Sequence, residues 1–540
     1  MSVSSVNRRR ILSLRLPFLP IDRLRRQLAR AAMQSGAAPA DASPPLFSSP
    51  SPAPWVVVAK ENNALRLTAC DSEAMAIGLT IGMPLANARA ICPDLRVFDA
   101  DEDADLRTLN AVADWCDRFT PLVALDPPHG LFLDITGCAH LFGGEAELLR
   151  KLSALLVRQG FAVTAAVAST PVCARTVARA APGRIVPEGK EAAAVAGLAV
   201  VALGTEDTVI RGLRRAGLKT IGEVAARESH EITARFGAAF TALLRQALGD
   251  GDAPISPRKP APDYLVEKRF AEPVASDGVI AATLDRLGAM LVDAMQRQAK
   301  GARRLEASFF RTDGVVRTIT LDAGRPVTRT ATMARLFRER LDALADPLDP
   351  GFGFDLIRLS ASRVETVVTE QRDLDSQAHD SDEVAALVDC IAARIGGARI
   401  EVHLPRDSHI PERAEEAVPA QAALAAAEQA DWPAPIKDEP PRRPLRLFER
   451  PEPIAVIAEI PDGAPARFEW RRAGHVVARA EGPERLSPEW WRADGAATRD
   501  YFRVEDAAGL RFWIYRDGLY GGEDGGEAQA PRWFVHGLFA

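Results

Sequence analysis

The sequence predicts an α+β multidomain protein that ends in a small β-rich domain, and three observations carry this expectation. At about 150 residues per domain, the 540 residues divide into three or four domains. Short apolar runs of strand length alternate with longer segments of helical spacing along most of the chain. The composition then changes, with five of the eight tryptophans and three of the four tyrosines lying after position 465.

Apolar residues make up 47% and charged residues 26%, enough for real cores. A net charge of -6, from 67 basic and 73 acidic residues, excludes a wholly basic nucleic-acid coat protein but leaves room for a local basic groove. No run approaches the roughly 18 apolar residues of a membrane span. Arg8-Arg9-Arg10 before Ile11–Leu14 imitates a secretion signal, but Arg15 interrupts the apolar run and no small-residue cleavage site follows. The six cysteines lie at least 22 positions apart with no CxxC pair, which predicts core thiols in a reducing cytoplasm rather than a zinc site or disulfide framework.

In chain order, Ile11–Leu16 has strand length, and 21–33 is helical, with Ile21, Leu24, Leu28 and Ala32 on one face. Residues 36–54, almost all Ala, Pro and Ser, predict a loop. Strands 55–59 and 64–69 flank the turn signal Asn62-Asn63, and helical patterns cover 83–92 and 104–118. A second hairpin spans 121–135, followed by helix 144–158, strand 161–168 and helix 171–181; the order implies one antiparallel sheet covered by helices. Residues 196–250 are all-helical. Residues 262–405 alternate strands (307–311, 315–321, 354–360, 400–404) with helices 278–299 and 328–345. Residues 411–445, rich in Ala, Glu and Pro, predict a weakly ordered linker.

Four ordered segments carry a resemblance: Thr68–Pro93 with Gly78 and Gly82-Met83, the hairpin ending Gly130-Leu-Phe-Leu-Asp134-Ile-Thr-Gly137, the run Ala166–Ala178, and Gly217-Leu-Lys-Thr-Ile-Gly222. Together they resemble the fingers, palm and thumb of Y-family translesion DNA polymerases (the UmuC-like fold). The resemblance implies palm and fingers over 8–195, a helix-hairpin-helix thumb over 196–255, a little-finger DNA-binding domain over 260–407, a linker over 408–445 and an aromatic-rich interaction domain over 446–540.

Nucleotidyl transfer requires two Mg²⁺ about 3.5–4 Å apart, and Mg²⁺ takes hard carboxylate oxygens. The family supplies them from its first strand and from an acidic pair in the palm hairpin. Here those positions are Arg15 and Pro17, and His129-Gly130. A guanidinium 4 Å from a unit positive charge costs about 4 kcal/mol at an effective dielectric near 20, and a doubly charged ion roughly doubles that. The finger positions that grip the triphosphate become Ser72 and Met75, and the bulky residue that excludes ribonucleotides falls near Pro20. The resemblance therefore implies a polymerase fold without polymerase chemistry, metal or other cofactor. The alternative is an active translesion polymerase with rewired ligands, drawn from Asp22, Asp126 or Asp134.

For DNA, Gly217, Lys219 and Gly222 match the phosphate-binding hairpin of the thumb; the competing reading is a helix C-cap at Gly217 followed by an N-cap at Thr220. Residues 256–340 hold 16 basic and 10 acidic residues. Within them Lys300, Arg303, Arg304, Arg311 and Arg317 predict a surface for backbone phosphates, or else a solvated charged face. Gln371 and Leu374 resemble a sliding-clamp peptide, although Asp375 stands where a second apolar anchor is expected. The terminal aromatics, interleaved with arginines, predict a β-domain core or a stacking and interface surface. The tail and the degenerate palm resemble one branch, the ImuB-type proteins of the bacterial mutasome. That likeness implies an SOS-induced, cytoplasmic adaptor whose partners are damaged or primer-template DNA, the β sliding clamp, a RecA-like accessory protein and an error-prone replicative-type polymerase subunit. A partner-binding protein that no longer contacts DNA is a third reading.

Overall fold

The computed structural model describes all residues except 1–8, 35–52, 62, 251–253, 346, 368–376, 433–442, 459–462, 493–496, 519–530 and 540. Two compact units result, Met1–Asp373 and Leu374–Ala540. The expected loop at 36–54 and the clamp-like residues Gln371, Leu374 and Asp375 fall wholly or mainly outside the described residues.

The first unit begins with β1 (Ile11–Arg15) and α1 (Leu19–Gln34), then β2 (Trp55–Glu61), β3 (Ala64–Cys70), α2 (Ser72–Ala76), α3 (Leu85–Ile91) and β4 (Arg96–Asp99). It continues through α4 (Glu102–Cys116), β5 (Val123–Asp126), β6 (Gly130–Asp134), α5 (Glu145–Arg158), β7 (Thr164–Ala168) and α6 (Pro171–Ala180). The palm sheet is antiparallel, in the order β5-β6-β1-β7. Period-two alternation on β1 sends Leu12 and Leu14 into a core with Leu131, Leu133, Trp115, Leu148 and Leu152, and leaves Ser13 and Arg15 on the other face. On that second face lies α6, started by Pro171 and capped by Thr170, whose Oγ1 accepts from the Cys173 N–H.

One expectation changes here. Strands β2 and β3 do not join the palm sheet; they form a separate three-stranded sheet, β3-β2-β4, in which β2 and β4 run parallel. The four-residue strand Arg96–Asp99 gives a weak period-two signal, and its alignment with β2 across 34 intervening residues is invisible locally. Val56, Val58, Leu67 and Leu79 give this fingers sheet its own core.

The helical segment runs through α7 (Glu191–Val195), α8 (Asp207–Arg215), α9 (Ile221–Ala225), α10 (Ser229–Phe236) and α11 (Ala238–Ala247). It packs Ile210, Leu213, Ile221, Val224, Phe240 and Leu244 against α6. Then follow β8 (Tyr264–Val274), α12 (Asp277–Gln296), β9 (Lys300–Arg311), β10 (Val316–Val327), α13 (Thr330–Asp342) and β11 (Phe354–Thr366), with sheet order β10-β9-β11-β8. Strand β8 has no apolar alternation in the sequence because its charges, Glu267, Lys268 and Arg269, break the pattern on a half-exposed edge. This domain docks on the palm domain through Arg118. Its guanidinium pairs with Asp355 at 2.9 Å and lies over the Trp115 and Phe310 rings, while Arg358 donates to the Asp117 carbonyl at 2.7 Å.

The second unit begins with α14 (Gln377–Ile395), β12 (Glu401–Pro405), β13 (Glu415–Pro419) and α15 (Ala420–Glu428). Residues 415–428 were expected as linker. Instead β13 pairs antiparallel with β12, and the alanine-rich stretch after Pro419 becomes helical, as alanine's propensity allows. Strands β14 (Arg446–Ala458), β15 (Pro465–Trp470), β16 (Ala473–Leu486), β17 (Arg499–Asp506), β18 (Arg511–Asp517) and β19 (Arg532–Leu538) close into a six-stranded barrel. Phe468, Phe502, Phe512, Ile514 and Val535 form its core. Tyr501, Trp513 and Tyr515 form a second buried cluster on alternate positions of the same strands. Most terminal aromatics are thus core; Trp490 and Trp491 stand exposed.

His536, buried on β19, shares a 2.8 Å hydrogen bond with the Tyr501 hydroxyl. Burial lowers its pKa to about 4, against the attraction of Glu412 and with the help of Arg499. The folded state therefore stays neutral where the unfolded chain takes up a proton, so this contribution is lost as pH falls from about 6.5 towards 4. We expect thermal unfolding of the full chain, followed by tryptophan fluorescence, to shift to lower temperature from pH 7 to pH 5, and His536→Gln to flatten that dependence.

Candidate functional site

The palm register sets the site. Arg15 lies directly opposite Gly130 on one side and Thr164 on the other, and Gly130 lies opposite Asp126. Directly opposed residues of antiparallel strands share a face, so Asp126, Gly130, Arg15 and Thr164 form one row across all four strands. Where Gly130 has no side chain, the Asp126 carboxylate leans in: a Cβ on Gly130 would come 2.8 Å from the Asp126 carbonyl oxygen and 3.0 Å from Oδ2. From α6, the Arg175 Nη1 donates to Asp126 Oδ1 at 3.0 Å.

The charges do not balance within the row. Burial depresses the Arg15 pKa, the neighbouring Arg175 lowers it further, and Asp126 alone opposes them. Arg179, one turn beyond Arg175 on α6, is pushed down to about 10 by burial and by the charges of Arg15 and Arg175. His129 lies one residue before β6; its carbonyl accepts from the Leu16 N–H at 2.8 Å, and burial keeps its imidazole below the usual pKa. Pro17 follows the end of β1, and Pro20 is buried in the first turn of α1.

Two divalent ions do not fit this donor set. One carboxylate, already paired to a guanidinium, faces three arginines, whereas each Mg²⁺ needs near-octahedral oxygen coordination. Among the described residues, no three His, Cys, Asp or Glu side chains gather closely enough to hold a metal ion. Of the alternative ligands, Asp22 accepts the Ala162 N–H at 2.9 Å, and Asp134 accepts the Thr136 N–H at 2.9 Å at the far end of β6. Neither belongs to the row. Asp126 does, and it is the residue a rewired site would have to use.

On the fingers, the Ser72 hydroxyl donates to Glu73 at 3.2 Å, and Met75 is exposed on α2. At the thumb hairpin, Gly217 has φ +79°. The amides of Lys219 and Thr220 both donate to the Glu223 carboxylate, at 2.6 and 3.0 Å, in a capping box that starts α9. The Gly222 N–H is taken by the Ala196 carbonyl. The capping alternative therefore describes this turn, and the backbone donors expected for phosphate already have acceptors; the Lys219 side chain remains exposed.

The little-finger cations are also partnered. Arg311 sits between Asp313 and Asp349, each 2.6 Å away, and Arg304 makes a two-point pair with Asp322 at 2.7 and 2.9 Å. Arg303 meets Glu365 at 3.3 Å and the Gly324 carbonyl, and Lys300 donates to the Thr366 hydroxyl at 2.7 Å. Arg317 is exposed on β10. Sequence reading identified Arg15, His129 and Gly130 but not the role of Arg175 and Arg179; their four-residue spacing on the helix after β7 was the available signal.

Residues 52–179 match the impB/mucB/samB family, and residues 262–375 match that family's C-terminal domain. A protein of Caulobacter vibrioides, named protein ImuB, is 40% identical over 475 residues, covering 86% of this chain and 100% of its own length. DNA polymerase IV 2 of Mesorhizobium japonicum is 26% identical over 314 residues, covering 57% of this chain and 75% of its own. Among solved structures, DinB from Sulfolobus solfataricus aligns at 14% identity with a TM-score of 0.38, over 66% of this chain and 99% of that one. The palm, fingers, helical thumb and little finger make this a Y-family polymerase-like, UmuC-domain protein of the DNA-damage and translesion class. The chain belongs to the ImuB family.

Because the Cβ clash at position 130 is with backbone, Gly130→Asp is expected to destabilise the palm by about 2 kcal/mol. Calorimetric unfolding of the variant would show this loss, and titration with Mn²⁺ would show no gained binding.

Proposed function

We propose that this chain is a non-catalytic, DNA-binding adaptor in SOS-induced, error-prone translesion synthesis, linking a partner polymerase and the sliding clamp to damaged template. The observation that carries it is the palm row, where the Arg15 guanidinium and a carboxylate already paired to Arg175 stand at the positions from which metal ligands would have to come. Identity of 40% to protein ImuB over most of the chain supports an accessory, mutasome-type role, and the match of residues 262–375 to a polymerase-family C-terminal domain supports DNA contact. The clamp is the partner expected at Gln371 and Leu374. The RecA-like accessory protein and the replicative-type polymerase subunit come from family likeness, as does the cytoplasmic setting. Among the described residues no helix is long and apolar enough to cross a membrane.

Side chains rather than hairpin amides would make the DNA contacts. Lys219 is exposed and Lys300 is held by the Thr366 hydroxyl, so both can turn to phosphate, and Arg317 is exposed on β10, whereas Arg303, Arg304 and Arg311 would first have to exchange a carboxylate. Gly217 and Gly222 shape the hairpin. The alternative, an active polymerase, has only Asp126 in the row to coordinate metal.

Primer extension with Mg²⁺ or Mn²⁺ is expected to give no template-dependent incorporation; incorporation abolished by Asp126→Ala would establish the enzyme instead. In fluorescence-anisotropy titrations with primer-template across a salt series, Lys219→Ala and Lys300→Ala should each lower the slope of log affinity on log salt by about 1, while Arg311→Ala leaves it unchanged. Clamp pull-down is expected to fall when Gln371 and Leu374 are both changed to Ala, and undiminished recovery would remove the clamp from the scheme.

A further inference from the structure

The row identifies what the palm cleft lacks, which is negative charge. Arg15, Arg175 and Arg179 bring three positive charges to the face of the sheet that holds one carboxylate, Asp126. Asp126 is committed to Arg175 at 3.0 Å, with both side chains mostly buried. Among the described residues, Arg15 has no hydrogen-bonded acceptor, and Asp126 is the carboxylate within its electrostatic reach. The Arg175 Nε is buried without an acceptor. Arg179 reaches beneath Gly204, where a Cβ would collide with its guanidinium, and its Nη1 lies 3.5 Å from the Ala202 carbonyl.

A half-buried guanidinium without a counter-ion is costly unless an anion meets it. Guanidinium forks match phosphate oxygens in two-point, charge-assisted hydrogen bonds. Three such groups against one carboxylate leave two net charges, about those of a terminal phosphate near neutral pH. We infer that the cleft is a phosphate-binding pocket in which Arg15, with Arg175, holds a phosphate group directly and without a divalent cation, Arg179 adding its charge from one turn further along α6. The inference deepens the non-catalytic reading of the same cleft and rests on it. In this arrangement Asp126 competes with the ligand for Arg175, so it tunes affinity downwards. Phosphate from a free polyphosphate and phosphate from a nucleic-acid backbone present the same chemistry here.

The test is isothermal titration of the full-length chain with inorganic triphosphate in EDTA, and in parallel with primer-template DNA. Arg15→Ala should weaken triphosphate binding at least tenfold, and Arg15→Lys should recover part of it. Asp126→Asn, which keeps the shape and removes the competing charge, should tighten binding several-fold, an effect in the opposite direction that misfolding would not give. Equal losses for triphosphate and DNA in Arg15→Ala assign the pocket to backbone phosphate; a loss for triphosphate alone assigns it to a free polyphosphate; both support the inference. Triphosphate affinity indifferent to Arg15→Ala and Asp126→Asn, or binding that requires Mg²⁺, would overturn it. Primer extension is a separate readout: a chain that synthesises no DNA and yet fails to bind triphosphate refutes the pocket and leaves the adaptor standing.

Discussion

A single ion pair, Arg175 to Asp126 across the palm face, organises the cleft. Among the described residues it neutralises the one carboxylate that reaches the row and fixes it above Gly130, leaving the Arg15 charge uncompensated beside it. Coulombic repulsion between a guanidinium and a divalent ion then acts at short range and low solvent exposure, where screening is weakest. The surrounding fold is otherwise that of a well-packed palm: Leu12, Leu14, Leu131, Leu133 and Trp115 are fully buried beneath the sheet. The scaffold is well packed, and its row, with Arg175, carries net positive charge.

The same pairing logic governs the little finger. Its basic excess is real in sequence, but Arg304, Arg311 and Arg358 each find carboxylates, at Asp322, at Asp313 and Asp349, and at Glu267. Charge counted along a window thus overstates charge offered to a ligand. Within this unit, Arg118 of the palm pairs with Asp355 and Arg358 donates to the Asp117 carbonyl, and both guanidiniums lie over the Phe310 ring.

Much of this was legible in the residues. The apolar alternation of Ile11–Leu16 and of Leu131–Ile135 announces the two central palm strands, and the register of Arg15 against Gly130 follows from placing both on family positions. What local pattern could not reveal was contact between distant segments. Asp126 and Arg175 are 49 residues apart, and Arg311 and Asp349 are 38 apart. Strand β13 becomes a strand only because β12 offers a partner, and β8 hides behind its charges on a sheet edge. At Thr220 the local turn is legible in the sequence: Thr followed three residues later by Glu is a capping box.

The tight approach of Gly130 to the Asp126 backbone sets a limit on redesign. Placing an acidic side chain there requires reshaping the hairpin itself, because the obstructing atom belongs to the main chain and no rotamer can move it aside. Replacing Arg15 alone would add one carboxylate to a strand whose neighbour has no room for a second. A palm face carrying two carboxylates on these strands therefore needs several coordinated changes, the first of them in main-chain shape.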